Sequence, residues 1–204
     1  MLRQRLILET ARSLIAGEEI EAITMDRIAD AAGYTRRTLY AYFTSRDEIL
    51  LMLLKEDWSE RWKKQQEAIQ QAPTGLQKIL VWGETLYAYS RNRPHATRLQ
   101  AYWDYRGIHP ERIGKQAFSE FETLNNELAR GLRSIFRLGV RDGSLRSDLK
   151  VDLCISQYLC SLRSVINRAL SGTYSFGGFD PDTYVRHYLD LFKRSIENPK
   201  GTGK

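Results

Sequence analysis

The sequence predicts an all-helical fold, and three observations carry that expectation. Apolar residues recur at spacings of three and four from end to end, no segment alternates apolar and polar residues for long, and helix start and stop signals bound the periodic stretches. At 204 residues, 42% of them hydrophobic, the chain has the material for one large domain or two small ones.

The elements follow in order. A first helix carries Leu6, Ile7, Ala11, Leu14 and Ile15 and stops near Gly17. Thr24 is placed to cap a short second helix that ends at Ala32, with Gly33 as its stop, and Thr35 caps a third. Ser45-Arg46-Asp47-Glu48 has the pattern of a capping box and opens onto the apolar run Ile49 to Leu54, so a long fourth helix starts at residue 46. It runs through Trp58, Trp62 and Ile69 to the break at Pro73 and Gly75, after which Leu76, Ile79, Leu80, Gly83, Leu86 and Tyr87 define a fifth. Pro94 suits the first turn of a sixth, bearing Leu99, Tyr102 and Trp103 and ending before Gly107. Ala117 to Gly139 keeps helical spacing as a seventh, closed by Arg141-Asp142-Gly143-Ser144. Two regular stripes, Val151 to Ala169 and Tyr184 to Ile196, make the eighth and ninth, the latter capped by Asp180-Pro181. Ser171 to Gly178 reads as a glycine-containing loop and residues 198–204 as a flexible tail.

Composition narrows the function classes. The net charge of +6 and pI near 9.3 lean toward an anionic partner, but residues 1–50 hold seven Lys or Arg against eight Asp or Glu. Within that segment the acids Glu18, Glu19, Glu21, Asp26 and Asp30 precede residue 31, whereas residues 31–46 contain Arg36, Arg37 and Arg46 and no acid, so a local basic surface remains. The N-terminus lacks the uninterrupted apolar stretch of a signal peptide and Ile49 to Leu54 is too short to span a bilayer, which predicts a soluble, cytoplasmic protein with no membrane partner. Cys154 and Cys160 lie about 240° apart on a helix, unable to bridge or share a metal, and are expected in the core. His95, His109 and His187 are scattered, and neither a metal motif, a phosphate loop nor a nucleophile elbow is present, so the sequence points to no enzyme activity and to no cofactor.

Residues 25–44 have the pattern of a helix-turn-helix. A small Ala29 lets the second helix cross the first closely, Gly33 takes a left-handed turn cheaply, and Leu39 and Phe43 pin the third helix to the core. Thr35, Arg36, Arg37, Thr38, Tyr40 and Tyr42 then face outward, a set able to hold phosphates and to reach base edges in a major groove. The same pattern also describes a helical pair with a solvated basic face, which is common in all-helical proteins.

Thr24-Met25-Asp26-Arg27-Ile28-Ala29-Asp30-Ala31-Ala32-Gly33, followed by Thr35, Leu39-Tyr40, Phe43, Ser45 and Ile49-Leu50, resembles the N-terminal signature of the tetracycline repressor (TetR) family. Farther on, Gly139 to Asp148 is similar to that family's link between the seventh and eighth helices. The resemblance implies a homodimer of nine helices: a DNA-binding domain over 1–46, an effector-binding and dimerisation domain over 47–197, and the tail. It places Thr24, Tyr40, Tyr42 and Arg46 on phosphates and Thr35, Arg36, Arg37 and Thr38 on bases or adjacent backbone, with Arg46 in place of the usual lysine. Tyr34 stands where the family has a small apolar residue, either touching DNA through its hydroxyl or covering the core, and Glu19 stands where the family favours glycine.

The resemblance also places effectors among helices four to seven, where Trp58, Trp62, Trp82, Tyr89, Tyr102, Trp103, Phe118 and Phe121 are candidates for the ligand site. Aromatics at this spacing equally describe a packed core. Few charges look interior in these helices, which favours an apolar or aromatic effector. The stripes of the last two helices are wide enough to pack on two sides, giving Tyr158, Leu162, Val165, Ile166, Tyr184, Tyr188 and Phe192 as candidate dimer contacts, with burial inside one protomer as the alternative. The expected function is a transcriptional regulator, a repressor released from a pseudo-palindromic double-stranded DNA operator by a small molecule; activation, or a helical ligand-binding protein that does not grip DNA, are the rivals.

Overall fold

The computed structural model describes residues 2–171 and 178–199. Among them are nine α-helices: α1 (Leu2–Gly17), α2 (Met25–Ala32), α3 (Arg36–Tyr40), α4 (Arg46–Gln70), α5 (Gly75–Asn92), α6 (Pro94–Arg106), α7 (Lys115–Arg141), α8 (Val151–Leu170) and α9 (Pro181–Ile196), with 3-10 turns at Ile20–Ala22 and Pro110–Arg112. Most of the expected loop between the last two helices and most of the expected tail lie outside the described residues.

Local chemistry sets most of the helix ends. The hydroxyls of Thr24 and Thr35 and the carboxylate of Asp180 accept amide hydrogens from Arg27, Thr38 and Thr183, satisfying donors that a helix start leaves without partners. Pro94 and Pro181 occupy first turns, where a missing N–H costs nothing. The capping box before α4 forms in altered shape. Ser45 Oγ accepts from the Glu48 amide at 3.1 Å, but the Glu48 carboxylate takes the Thr44 amide at 2.8 Å together with the Thr44 hydroxyl.

Packing divides the chain into two compact units, residues 1–59 with 93–125 and residues 60–92 with 126–204. The first unit extends past residue 46, because α6 and the first half of α4 are tied to α1. Arg12 donates to Asp57 at 2.8 Å and meets His95 Nε2 at 3.3 Å, and Arg98 donates to the Glu18 carbonyl. Burial lowers the Arg12 pKa, but Asp57 and Glu56 more than offset it and hold the guanidinium firmly charged.

The second unit is built around Ile79, Trp82, Leu132, Phe136, Tyr158, Leu162, Ile166, Val185 and Leu189. Tyr158 is wholly buried; its hydroxyl donates to the Ile79 carbonyl at 3.0 Å and its ring stacks on Phe192 with centroids 4.3 Å apart. Tyr158, Leu162 and Ile166, expected at a dimer surface, therefore belong to the protomer's own core, the stripe on α8 being filled from within. Val165, Tyr184, Tyr188 and Phe192 are half-buried. Cys160 is exposed and Cys154 half-buried, so neither is the core residue expected, and Leu6 on α1 is exposed rather than packed.

The start of α5 is locked against the end of α7. A Cβ at Gly75 would collide with the backbone of Gly139, and one at Gly139 would meet the Leu145 side chain. The turn after α7 completes the lock: Asp142 accepts from the Gly75 amide at 2.8 Å and from the Ser144 amide at 2.9 Å, while Ser144 Oγ accepts from the Leu76 amide at 3.1 Å. Burial tends to raise the Asp142 pKa, but the bonds from Ser144 and Gly75 outweigh it and hold the carboxyl below its ordinary value. A depressed carboxyl contributes stability above its unfolded value and loses it as pH falls through the folded one. Asp142→Asn is therefore expected to lower the melting temperature at neutral pH, with the difference from wild type shrinking as a thermal-denaturation series is taken to acid. A Gly75→Ala variant should lose about 1–3 kcal/mol at every pH, as overpacking does.

Candidate DNA interface

The interface is assembled from α2, the turn at Gly33 and α3. Gly33 sits at φ 70°, a conformation that L side chains resist, and its amide closes the end of α2 on Ala29 and Asp30. The Tyr34 amide donates to the Ala29 carbonyl at 2.9 Å, so the chain leaves α2 in a fixed direction. Ile28 and Ala29 are buried on α2, and Leu39 and Phe43 are at most 2% exposed, which fixes α3 from beneath.

With Leu39 facing in, the remaining side chains of α3 face out. Thr24, Thr35, Arg36, Arg37, Tyr40 and Tyr42 are exposed, and Tyr34 and Thr38 are half-buried. Thr35 and Thr38 join hydroxyls at 2.9 Å, which orients both. Arg36 stands 5.5 Å over the Tyr40 ring and pairs with Asp26 at 3.1 Å. Its pKa is raised by the Tyr40 hydroxyl and by Asp26. The Asp26 pair is solvent-exposed on both sides, so it holds Arg36 only weakly and leaves the guanidinium exchangeable for a base edge.

Arg46 is not where the phosphate expectation puts it. Its guanidinium donates to the Ile20 carbonyl and to the Tyr102 hydroxyl at 3.2 Å, and lies 5.5 Å over the Tyr102 ring, with the side chain 21% exposed. The 3-10 turn at Ile20–Ala22 presents that carbonyl, and Glu19, just before it, keeps an exposed side chain. A planar fork with several donors can hold two acceptors at once, where a lysine could not reach both with the same geometry. Arg27 on α2 pairs with Glu18 and holds that carboxyl below its ordinary value, a link the sequence pattern did not indicate.

The aromatic candidates divide between the two units. In the first, Trp58 packs on Phe121 at 5.0 Å and Tyr102 meets Trp103 edge-on at 5.3 Å, all four buried, with Phe118 half-buried. In the second, Trp62, Trp82 and Tyr89 are buried, and Trp62 donates to Glu127 at 3.0 Å. Against the expectation of few interior charges, α4 buries two, Asp57 and Arg61, and the neutral Gln65 four residues on along the same face, all at most 7% exposed. Gln65 donates to the Trp82 carbonyl at 3.1 Å.

A left-handed glycine between two short helices, a buried anchor beneath the second and an exposed set of threonines, arginines and tyrosines above it define a helix-turn-helix DNA-binding protein. Residues 7–53 match the family described as bacterial regulatory proteins, tetR family. The chain is 26% identical over 197 residues to the HTH-type transcriptional repressor KstR2 of Rhodococcus jostii (strain RHA1), spanning 97% of this chain and 92% of that protein. It is 26% identical over 154 residues to the fatty acid metabolism regulator protein of Bacillus subtilis (strain 168), spanning 72% and 73%. The fold is shared with the ketosteroid transcriptional regulator KstR2 of Mycobacterium tuberculosis, at a TM-score of 0.69, 20% identity and coverage of 96% and 95%. It is shared too with the regulator FadR of Bacillus subtilis solved in complex with stearoyl-CoA, at 0.74, 16%, 95% and 99%. Residues 7–53 thus carry a segment similar to the tetR family's regulatory proteins, and the chain, similar over nearly its whole length to a transcriptional repressor, is a transcriptional regulator.

Because α3 owes its direction to the Gly33 turn, Gly33→Ala is expected to cost about 1–2 kcal/mol. Chemical denaturation would read the loss, and DNA binding should weaken for all sequences together.

Proposed function

We propose that this regulator is a repressor that binds a pseudo-palindromic operator as a homodimer and is released by a small molecule with a large apolar body and at least one polar group. The exposed set on α3 carries the DNA half of the reading: Arg36 and Arg37 reach guanine edges, and Thr24, Tyr40 and Tyr42 hold phosphates. The relative named a repressor spans nearly the whole chain, which supports repression over activation. Two copies joined through the outer faces of α8 and α9, where Leu153 and Leu191 are more than half exposed, would present two reading helices to successive grooves.

A similar protein named a ketosteroid transcriptional regulator and another solved in complex with stearoyl-CoA support the apolar body. Support for the polar group comes from Gln65 Oε1 and Trp82 Nε1, which are buried and have no hydrogen-bond partner among the described residues. Each such atom costs about 1–3 kcal/mol, and a ligand hydroxyl or carbonyl beside them would recover it. Trp62, Trp82 and Tyr89 then supply the apolar contact, and Trp58, Tyr102, Trp103, Phe118 and Phe121 the core on which α4 and α6 respond. Since α4 continues unbroken from Arg46 to Gln70, a ligand that displaces it at Gln65 moves the residues that follow the recognition helix.

Binding of labelled fragments of the region upstream of its own gene, measured across a salt series, tests the DNA half. A specific complex is expected, and equal affinity for every fragment, or none, would sink the reading. Arg36→Ala should reduce discrimination between operator and mixed sequence by about tenfold to a hundredfold while retaining non-specific binding. Stearoyl-CoA and a 3-ketosteroid serve as effector probes: the one that fits should raise the melting temperature and dissociate the complex, and Gln65→Leu should shrink that rise.

A further inference from the structure

The start of α4 follows the recognition helix by six residues, and the cation expected to hold phosphate there, Arg46, is engaged with Ile20 and Tyr102 inside the first unit. Besides Arg46, the first turn of α4 carries only the acids Asp47 and Glu48 as charged groups, and Glu48 is taken up by Thr44. Beside it runs an open groove of about 580 Å³, with Thr44 to Asp47 on one side and Glu111 to Lys115 on the other. The two sides are tied, because the Ser45 hydroxyl donates to the Arg112 carbonyl. Tyr42, exposed and expected on a phosphate, is two residues from the rim at Thr44.

Two cations line this groove from the second side. The Arg112 side chain is 59% exposed and Lys115 is exposed at the first residue of α7. The acids nearby do not cancel them: Asp47 lies at 3.9 Å from both Arg46 and Arg112, the limit of a salt bridge, and Glu111 faces His109 at 3.4 Å. A pair this long is weak, and its arginine is the exposed partner, so Arg112 can exchange Asp47 for a phosphate, which its fork accepts in bidentate fashion.

We infer that Arg112 and Lys115 form a second phosphate-binding element outside the helix-turn-helix, gripping the backbone of the duplex that α3 reads. This rests on the DNA-binding role proposed for α3. It assigns to the segment before α7 the role expected of Arg46, and leaves Arg46 as a positioning residue that holds the start of α4 to the turn at Ile20 and to α6.

The test is the salt dependence of affinity for an upstream fragment and for a mixed-sequence duplex, comparing wild type with the double variant Arg112→Ala, Lys115→Ala. Each phosphate that is no longer neutralised should lower the slope of log affinity against log salt by about 0.9, for each bound copy. Affinity should fall alike on both duplexes, with the ratio between them unchanged. The charge-keeping double variant Arg112→Lys, Lys115→Arg should retain most of the slope, and melting temperatures identify a misfolded variant, in which case Arg112→Gln with Lys115→Gln gives the same reading. A wild-type slope in a folded charge-removing variant overturns the proposal, as does a loss confined to one sequence. Absence of salt-dependent DNA binding by wild type would instead overturn the regulator reading itself.

Discussion

A helix of five residues does not stand on its own, and the recognition helix of this protein is one. Isolated helices below about 12–15 residues are marginal in water, so α3 depends on what lies beneath and before it. Leu39 and Phe43 are almost completely buried, and burial of side chains of this size contributes about 1.5–3 kcal/mol each. Thr35 supplies the missing partner for the Thr38 amide, and the Gly33 turn delivers the chain at the right angle. Every outward residue on α3 inherits its position from this anchoring. The polar face is what the anchored positions leave over, with the Thr35–Thr38 and Arg36–Tyr40 contacts and the Arg36–Asp26 pair upon it.

What could be seen in the sequence follows from the range over which each signal acts. Thr24, Gly33, Thr35, Pro94 and Asp180 act on amides and dihedrals within a few residues, so their roles as caps and stops are local facts, and the structure keeps all five. Arg46 acts across 26 residues to Ile20 and 56 to Tyr102, and nothing in its neighbourhood announces either partner. The burial of Asp57, Arg61 and Gln65 has no local signal, because polar residues at helical spacing on a long helix usually face water; it depends on partners far along the chain, Arg12 for Asp57 and the Trp82 carbonyl for Gln65. Tyr158, Leu162 and Ile166 misled in the opposite way. A broad apolar stripe states that something covers it, not whether the cover is another helix of the same chain or a second copy.

Charge is handled locally. Of the five acids of residues 18–30, Glu18 is drawn into a pair with Arg27 and Asp26 into one with Arg36, which reduces the repulsion that the acidic half of the N-terminal segment offers a polyanion. A net charge near zero over that segment thus coexists with an exposed run of threonine, arginine and tyrosine on α3. Counting charges over a window averages away the arrangement that matters, which is set by which face each helix buries.

The inward turn of Arg46 also bears on how far this protein can be treated as interchangeable parts. One guanidinium joins the turn before α2, the first residue of α4 and the middle of α6. Three segments that lie far apart in the sequence are therefore a single mechanical joint. Grafting a foreign recognition helix onto this scaffold, or this reading head onto another, would preserve the visible motif and still cut the joint unless Ile20, Arg46 and Tyr102 travelled together. The unit of exchange is larger than the motif that names it.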